Sequence, residues 1–263
     1  MLTFEPHPKA VIHDNSGPAR LTLLDEKVDQ IRLAGPEALV ILRPTMEFLQ
    51  QSPREFVRSV IVDGFAAGEV VEGPDFRFGH DSKGDLGILR GLGEEYGFAV
   101  GVAPAEVSKG RMISSTMIRS LLALGEVRPA GEALGRPYAV SGTVVKGTGQ
   151  GRDLGFPTAN IRPPHGKLLP RRGVYVVEVL RAGEACFGMA NLGHRPTFGG
   201  EDVLLETHLF DYSARIYGED ITVQFLRHLR DEAKFPSSRH LKAQLQSDLT
   251  TAREFLRGDS SLR

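Results

Sequence analysis

Gly147-Thr148-Gly149-Gln150-Gly151-Arg152-Asp153-Leu154-Gly155, continued by Phe156-Pro157-Thr158-Ala159-Asn160-Ile161, is the run that separates the competing folds of this 263-residue chain. Four glycines in nine residues let backbone N–H groups approach an anion closely, so the run has the makings of a phosphate loop. It does not head a strand–loop–helix phosphate motif. Arg152 stands where G-x-G-x-x-G needs its third glycine, the Gly-Lys-Ser/Thr of a Walker A loop is missing, and no helical pattern follows. Taken alone, the run also reads as a flexible hairpin in a β structure.

From Gly135 onward the flanking residues show two-residue alternation and frequent turns. Ile221, Val223 and Phe225 point one way and Thr222 and Gln224 the other, as a half-buried strand requires. Tyr138 to Val145, Val174 to Leu180, Ala185 to Ala190 and Val203 to Phe210 fit the same reading, which makes this half a β-barrel or sandwich. A helix from about Ser237 to Leu256, striped by Leu241, Leu245, Leu249, Ala252 and Leu256, is expected to pack on it. The preceding half has another grammar. Leu2 to Phe4, Ala38 to Leu42, Glu69 to Glu72 and Phe98 to Val102 read as strands, most of them too continuously apolar for a one-sided sheet. Helices lie between them. Thr22 and Asp25 resemble a capping box, and Ser52, Pro53 and Glu55 form a strong start signal for a helix through Val60. Further helices run from about Asp85 to Tyr96 and from Thr116 to Leu124, closed by Gly97 and Gly125. The alternation predicts a parallel sheet covered by helices. The expected organisation is an α/β domain over 1–125, a linker over 126–134 and a β-barrel domain over 135–263.

Bulk properties narrow the function. The chain is 41% hydrophobic and 25% charged, with 32 Lys plus Arg against 33 Asp plus Glu and a net charge of -1. It therefore has no overall basic field for nucleic acid or an anionic membrane. No apolar run approaches the roughly 18 to 20 residues that span a bilayer, and the N-terminus lacks signal-peptide regions, so a cytoplasmic enzyme is expected. One cysteine, Cys186, excludes an internal disulfide and reads as a small buried residue. The eight histidines show no zinc-binding pair.

The stretch from Gly135 through Ile161 closely resembles the entry to the riboflavin kinase domain, whose signature is a glycine-rich loop, Gly-Arg-x-Leu-Gly and then Phe-Pro-Thr-Ala-Asn. The resemblance continues at Gly173-Val174-Tyr175, Ala190-Asn191-Leu192-Gly193, Arg195-Pro196-Thr197-Phe198, Glu206-Thr207-His208, Tyr217-Gly218 and Arg230 through Phe235. It implies a six-stranded kinase barrel with a terminal helix. The implied reaction moves the γ-phosphate of ATP to the 5′-hydroxyl of riboflavin, giving FMN and ADP with Mg²⁺ as cofactor.

The residue types suit that chemistry. Mg²⁺ prefers hard oxygen ligands, and Thr158 and Asn160 supply a hydroxyl and an amide oxygen, two residues apart and on one face if the segment is extended. A Pro-Thr-Asn turn bonding its own backbone is the alternative. By resemblance, Gly147, Gly149, Gly151, Arg152, Thr158 and Asn160 bind ATP, with Thr158 and Asn160 on the metal. Glu206 would accept the proton of the flavin hydroxyl, although an exposed polar strand face reads equally well from the residues alone. Arg230 matches a flavin-binding position, with an ion pair to Asp231 or Glu232 as rival. Asn191 and His208 are weaker candidates.

Three motifs resemble the FMN adenylyltransferase module that precedes the kinase in many bacterial family members: Phe4-Glu5-Pro6-His7-Pro8, Gly73 through Gly79, and Ile113-Ser114-Ser115-Thr116-Met117-Ile118-Arg119. Ser115, Thr116 and Arg119 would form a phosphate site at a helix start, or merely its cap. The family's Gly-x-Phe-Asp-Gly-x-His-x-Gly-His motif, worth roughly 20 to 40 residues of strand, helix and loop, has no counterpart. Adenylyl transfer is therefore expected to be crippled. Two explanations stand: a start assigned at an internal methionine, or a real loss that leaves a scaffold. The rival functions are a bifunctional enzyme that still makes FAD and a flavin-binding regulator without catalysis.

Overall fold

The computed structural model describes residues 1–12, 17–108, 110–147, 149–197 and 200–259, with the backbone alone over 194–197 and 200–202. Thr148 and Phe198 of the motifs above lie outside the described residues. The chain forms two compact units, Met1–Ile113 and Ser114–Arg263.

The first unit pairs short strands in parallel: β1 (Leu2–Phe4) with β2 (Val40–Leu42), and β3 (Glu69–Glu72) with β4 (Ala99–Val102). A small antiparallel pair, β5 (Val107–Ser108) and β6 (Arg111–Met112), was not legible from alternation because each strand has two residues. Among the helices are α1 (Pro8–Ile12), α2 (Leu24–Leu33) and α3 (Met46–Leu49). The start of α2 corrects the expected box at Thr22 and Asp25 by one residue: the Glu26 carboxylate accepts the Leu23 N–H at 2.9 Å. Next, α4 (Pro53–Phe56) has the expected box, with Ser52 N–H donating to Glu55 at 2.7 Å, and it continues as a π-helical turn over Val57–Val62. In α5 (Leu86–Tyr96), the Asp85 carboxylate accepts the Ile88 N–H at 2.9 Å and Gly97 closes the helix at φ 84°. Val57, Val60, Ile61 and Leu89 are buried with Phe56 and Phe78, whose rings lie 5.6 Å apart.

In the second unit, α6 (Ser115–Ala123) is followed by α7 (Val127–Leu134). The stretch expected as a linker is thus a helix, because Val127, Ala130 and Ala133 fall on one side and are buried. Six strands then close a barrel: β7 (Tyr138–Val145), β8 (Ala159–Ile161), β9 (Gly173–Arg181), β10 (Glu184–Thr197), β11 (Gly200–Leu209) and β12 (Asp220–Arg230), in the order β10-β11-β8-β7-β12-β9. A one-turn helix, α8 (Gln150–Asp153), lies within the glycine run, where the sequence showed no helical pattern; one turn is too short to leave a period. Ile161, Leu205 and Leu192 pair across three strands and are fully buried, so their row faces the barrel interior. The outer face takes α9 (Ser238–Gly258), where Ala252 meets Val176 and Leu226. Cys186, expected to be buried, is half-buried.

His228 on β12 sits edge-on to Tyr175 with ring centroids 4.9 Å apart. Burial holds its pKa below the ordinary 6.5, against the opposing pull of Asp231. The unfolded chain therefore takes up this proton first. Stability falls as pH drops through the unfolded value, and the loss is complete below the folded one. Thermal midpoints measured from about pH 7.5 to about pH 5 should decline less in His228→Gln than in the parent; equal slopes would refute the assignment.

Candidate active site

The glycine run is shaped by close approaches. A Cβ on Gly147 would lie 2.3 Å from Asn160 Nδ2, and one on Gly151 would lie 2.5 Å from the Phe156 carbonyl oxygen. Any side chain at these positions would displace the amide of Asn160 or the strand entry at Phe156. Gly149 has φ 84° at the head of α8, a conformation that side chains disfavour. The loop thus folds back on β8, with the Phe156 N–H donating to Gly151 O at 2.8 Å.

Asn160 is 4% exposed. Its Nδ2 donates to Thr158 O at 3.3 Å, while Oδ1 is buried with no partner among the described residues. An orphaned buried amide oxygen costs folding free energy unless something binds it. With the Thr158 hydroxyl two residues earlier in the chain, it would offer oxygen donors of the kind Mg²⁺ takes. Among the described residues, no group of three or more His, Cys, Asp or Glu is placed to hold a metal, so an ion here would draw its remaining ligands from water or substrate.

Register gathers the other candidates. Asn160 pairs with Glu206, Glu206 with Asn191, Asn191 with Val174, and Val174 with Arg230. Directly opposed residues share a face, so four polar side chains form one row across five strands of the barrel. The row alternates with the buried interior row and therefore lies on the outer face. A β-bulge between His228 and Arg230 shifts the last strand so that Arg230 joins it.

Two cavities adjoin this row. The first, about 260 Å³, is bounded by Gly151, Phe156, Met189 and Leu245, with Glu206 and Arg230 on its polar side. The second, about 390 Å³, opens beside the barrel end and is lined by Arg152, Arg215, Tyr212, Tyr217, Ala159 and Thr207. Thr158 lines both. Arg152 donates to the Tyr217 hydroxyl at 3.3 Å, and neither Arg152 nor Arg215 has a carboxylate partner among the described residues. Two arginines without anionic partners among the described residues make the second cavity attractive to an anion, whereas the first combines apolar walls with Arg230, the half-buried Glu206 and the exposed Glu232.

Arg230 departs from the rival reading. Its ion pair is with Asp248 of α9, Nε reaching both carboxylate oxygens at 3.0 Å and Nη2 reaching Oδ2 at 2.8 Å; towards Asp231 it donates only to the backbone oxygen. Asp248 was missed, although a charged residue in register with an apolar helical stripe was the available signal. Asn191 and His208 both line the first cavity, and His208 Nδ1 lies 2.8 Å from Pro157 O. Ser115 and Thr116 are exposed on the first turn of α6, whose cap is Ser114, accepting the Met117 N–H at 3.2 Å. Arg119 is half-buried, its Nη1 without a partner among the described residues. These three residues line neither barrel cavity.

Residues 134–256 match the family model for riboflavin kinase and residues 1–117 that for FAD synthetase. The chain is 37% identical to the bifunctional riboflavin kinase/FMN adenylyltransferase of Haemophilus influenzae, covering 97% of this chain and 83% of that protein. It is 39% identical to the Escherichia coli K12 protein so described, over 97% of this chain and 82% of the relative. The Bacillus subtilis protein of the same description is 33% identical over 100% of this chain and 83% of its own length. Among solved structures, a Streptococcus pneumoniae protein described as a macrolide-efflux protein superposes with a TM-score of 0.84 at 31% identity, over 96% of this chain and 82% of that one. Among the described residues here, no helix is long and apolar enough to cross a membrane.

Proposed function

The chain belongs to the bifunctional riboflavin kinase/FMN adenylyltransferase family, and on that footing we propose that its barrel transfers the γ-phosphate of ATP to the 5′-hydroxyl of riboflavin. The observation that carries this reading is the pair of cavities meeting at Thr158, one lined by two arginines that have no carboxylate partner among the described residues and the other by apolar walls with Glu206 and Arg230 on its polar side. A polyanionic donor suits the first environment and a neutral flavin the second. Arg152 and Arg215 would hold the phosphates of ATP, with Gly147, Gly149 and Gly151 letting the loop backbone approach them. Apolar walls at Phe156, Met189 and Leu245 would take the flavin ring, and Arg230 would stand at its side.

Thr158 and Asn160 would hold Mg²⁺, which when bound would neutralise charge on the transferring phosphoryl group. The flavin hydroxyl oxygen forms the new bond to phosphorus as the bond to the β-phosphate oxygen breaks and ADP leaves. Glu206 takes the proton of that hydroxyl. Its position supports the role, since the cross-strand pair places it beside Asn160 and so beside the donor end. The domain scheme that goes with this reading assigns phosphorylation to the barrel and adenylyl transfer to the α/β part.

The match of residues 1–117 to FAD synthetase favours a second reading, in which FMN is carried on to FAD, with Ser115, Thr116 and Arg119 as a phosphate site. One assay addresses both. Purified protein incubated with riboflavin and Mg-ATP is expected to form FMN, resolved by chromatography. Absence of FMN overturns the kinase reading, and FAD formed from FMN establishes the second activity.

A further inference from the structure

Thr207 is used by nothing described so far. It lies on the interior face of β11, opposite Ala190 of β10 on one side and Ala159 of β8 on the other. Its two cross-strand neighbours therefore offer methyl groups. The residue is 0% exposed and its Oγ1 has no hydrogen-bond partner among the described residues. A buried hydroxyl left in that state carries its full desolvation cost, and valine, of the same shape, would fill the space without it. Packing alone thus disfavours threonine here.

Position supplies a reason for the hydroxyl. Thr207 lines the inner end of the arginine-bearing cavity, together with Ala159 and Thr158. Of its two alanine neighbours, Ala159 lines this cavity with it and Ala190 lines the other, so the small side chains on both sides leave the hydroxyl unscreened by bulky groups. We propose that the Thr207 hydroxyl is a binding group for the phosphorylated donor nucleotide, satisfied when that ligand seats against the barrel end. This rests on the reading of that cavity as the donor site. It adds a hydroxyl contact on the interior face of β11, while the neighbouring Glu206 serves the acceptor from the outer face.

The test compares the full-length parent with Thr207→Val and Thr207→Ser. Calorimetric titration with Mg-ADP measures binding without turnover, and thermal unfolding without nucleotide measures stability. Thr207→Val is expected to weaken Mg-ADP about tenfold, the loss of one hydrogen bond, with an unfolding midpoint equal to the parent's or higher. Thr207→Ser, which keeps the hydroxyl, should bind within about twofold of the parent. Parent-like binding by Thr207→Val overturns the inference, and so does failure of this isosteric variant to fold, since the hydroxyl would then be structural. Equal weakening in both variants overturns it too, by assigning the effect to the methyl group. A parent that binds no Mg-ADP removes the donor site and Thr207's role with it. A parent that binds Mg-ADP yet makes no FMN fails the phosphotransferase reading and leaves the Thr207 comparison decisive.

Discussion

Glu206→Gln is expected to lower the rate of FMN formation by roughly 10²- to 10⁴-fold, the usual contribution of a positioned general base. Glutamine preserves the shape and polarity of the side chain but cannot accept the proton. Because Glu206 lines the cavity beside Phe156 and Leu245 and not the arginine-bearing one, binding of Mg-ADP should stay at the parent value. The fold should also be unaffected, since Glu206 is half-buried on the outer face while the core row beside it, Ile161, Leu205 and Leu192, is untouched. Steady-state kinetics with riboflavin varied at saturating Mg-ATP separates the effects. A turnover within about threefold of the parent would assign the proton to water or to the phosphate itself and remove Glu206 from the mechanism.

Asp248→Ala is expected to produce the largest loss of stability. The carboxylate is 4% exposed and accepts three contacts from Arg230 and one, at 2.8 Å, from Gln244. Removing it strands a guanidinium that is itself mostly covered, its side chain being 22% exposed. Breaking such a pair from one side costs about 3 kcal/mol, which for a domain of this size lowers the thermal midpoint by roughly 6 to 12 °C. The cost arises from the uncompensated charge, so the double replacement Arg230→Met with Asp248→Leu should recover much of the midpoint. If the single variant melts with the parent, the pair does not anchor α9 to the barrel. Acceptor binding should weaken alongside stability in Asp248→Ala, because the same carboxylate orients Arg230 at the cavity wall.

Local rules sufficed wherever a structure depends on neighbours along the chain. The box of Ser52 and Glu55 and the glycines at 97 and 125 each satisfy backbone groups within a few residues, and each was legible. Five of the six barrel strands were legible from the sequence, whereas β8, three residues long, is too short to show an alternation. Thr158, Asn160 and Glu206 were named through a resemblance of motifs, and the residues alone left a turn and an exposed strand face as rivals. The helix over 127–134 was misread because its charged and proline residues hide a short buried face that only the barrel makes useful.

The sequence by itself determined the two-part organisation, five of the six barrel strands, the terminal helix and the family motifs, since each is written in short runs or short spacings along the chain. Only the tertiary structure decided that Asn160, Glu206, Asn191 and Arg230 share one row, that Arg230 is held by Asp248, and that Thr207 stands between alanines at the end of a cavity. Those facts depend on strand register and barrel closure, which join residues up to dozens of positions apart and leave no local period to read.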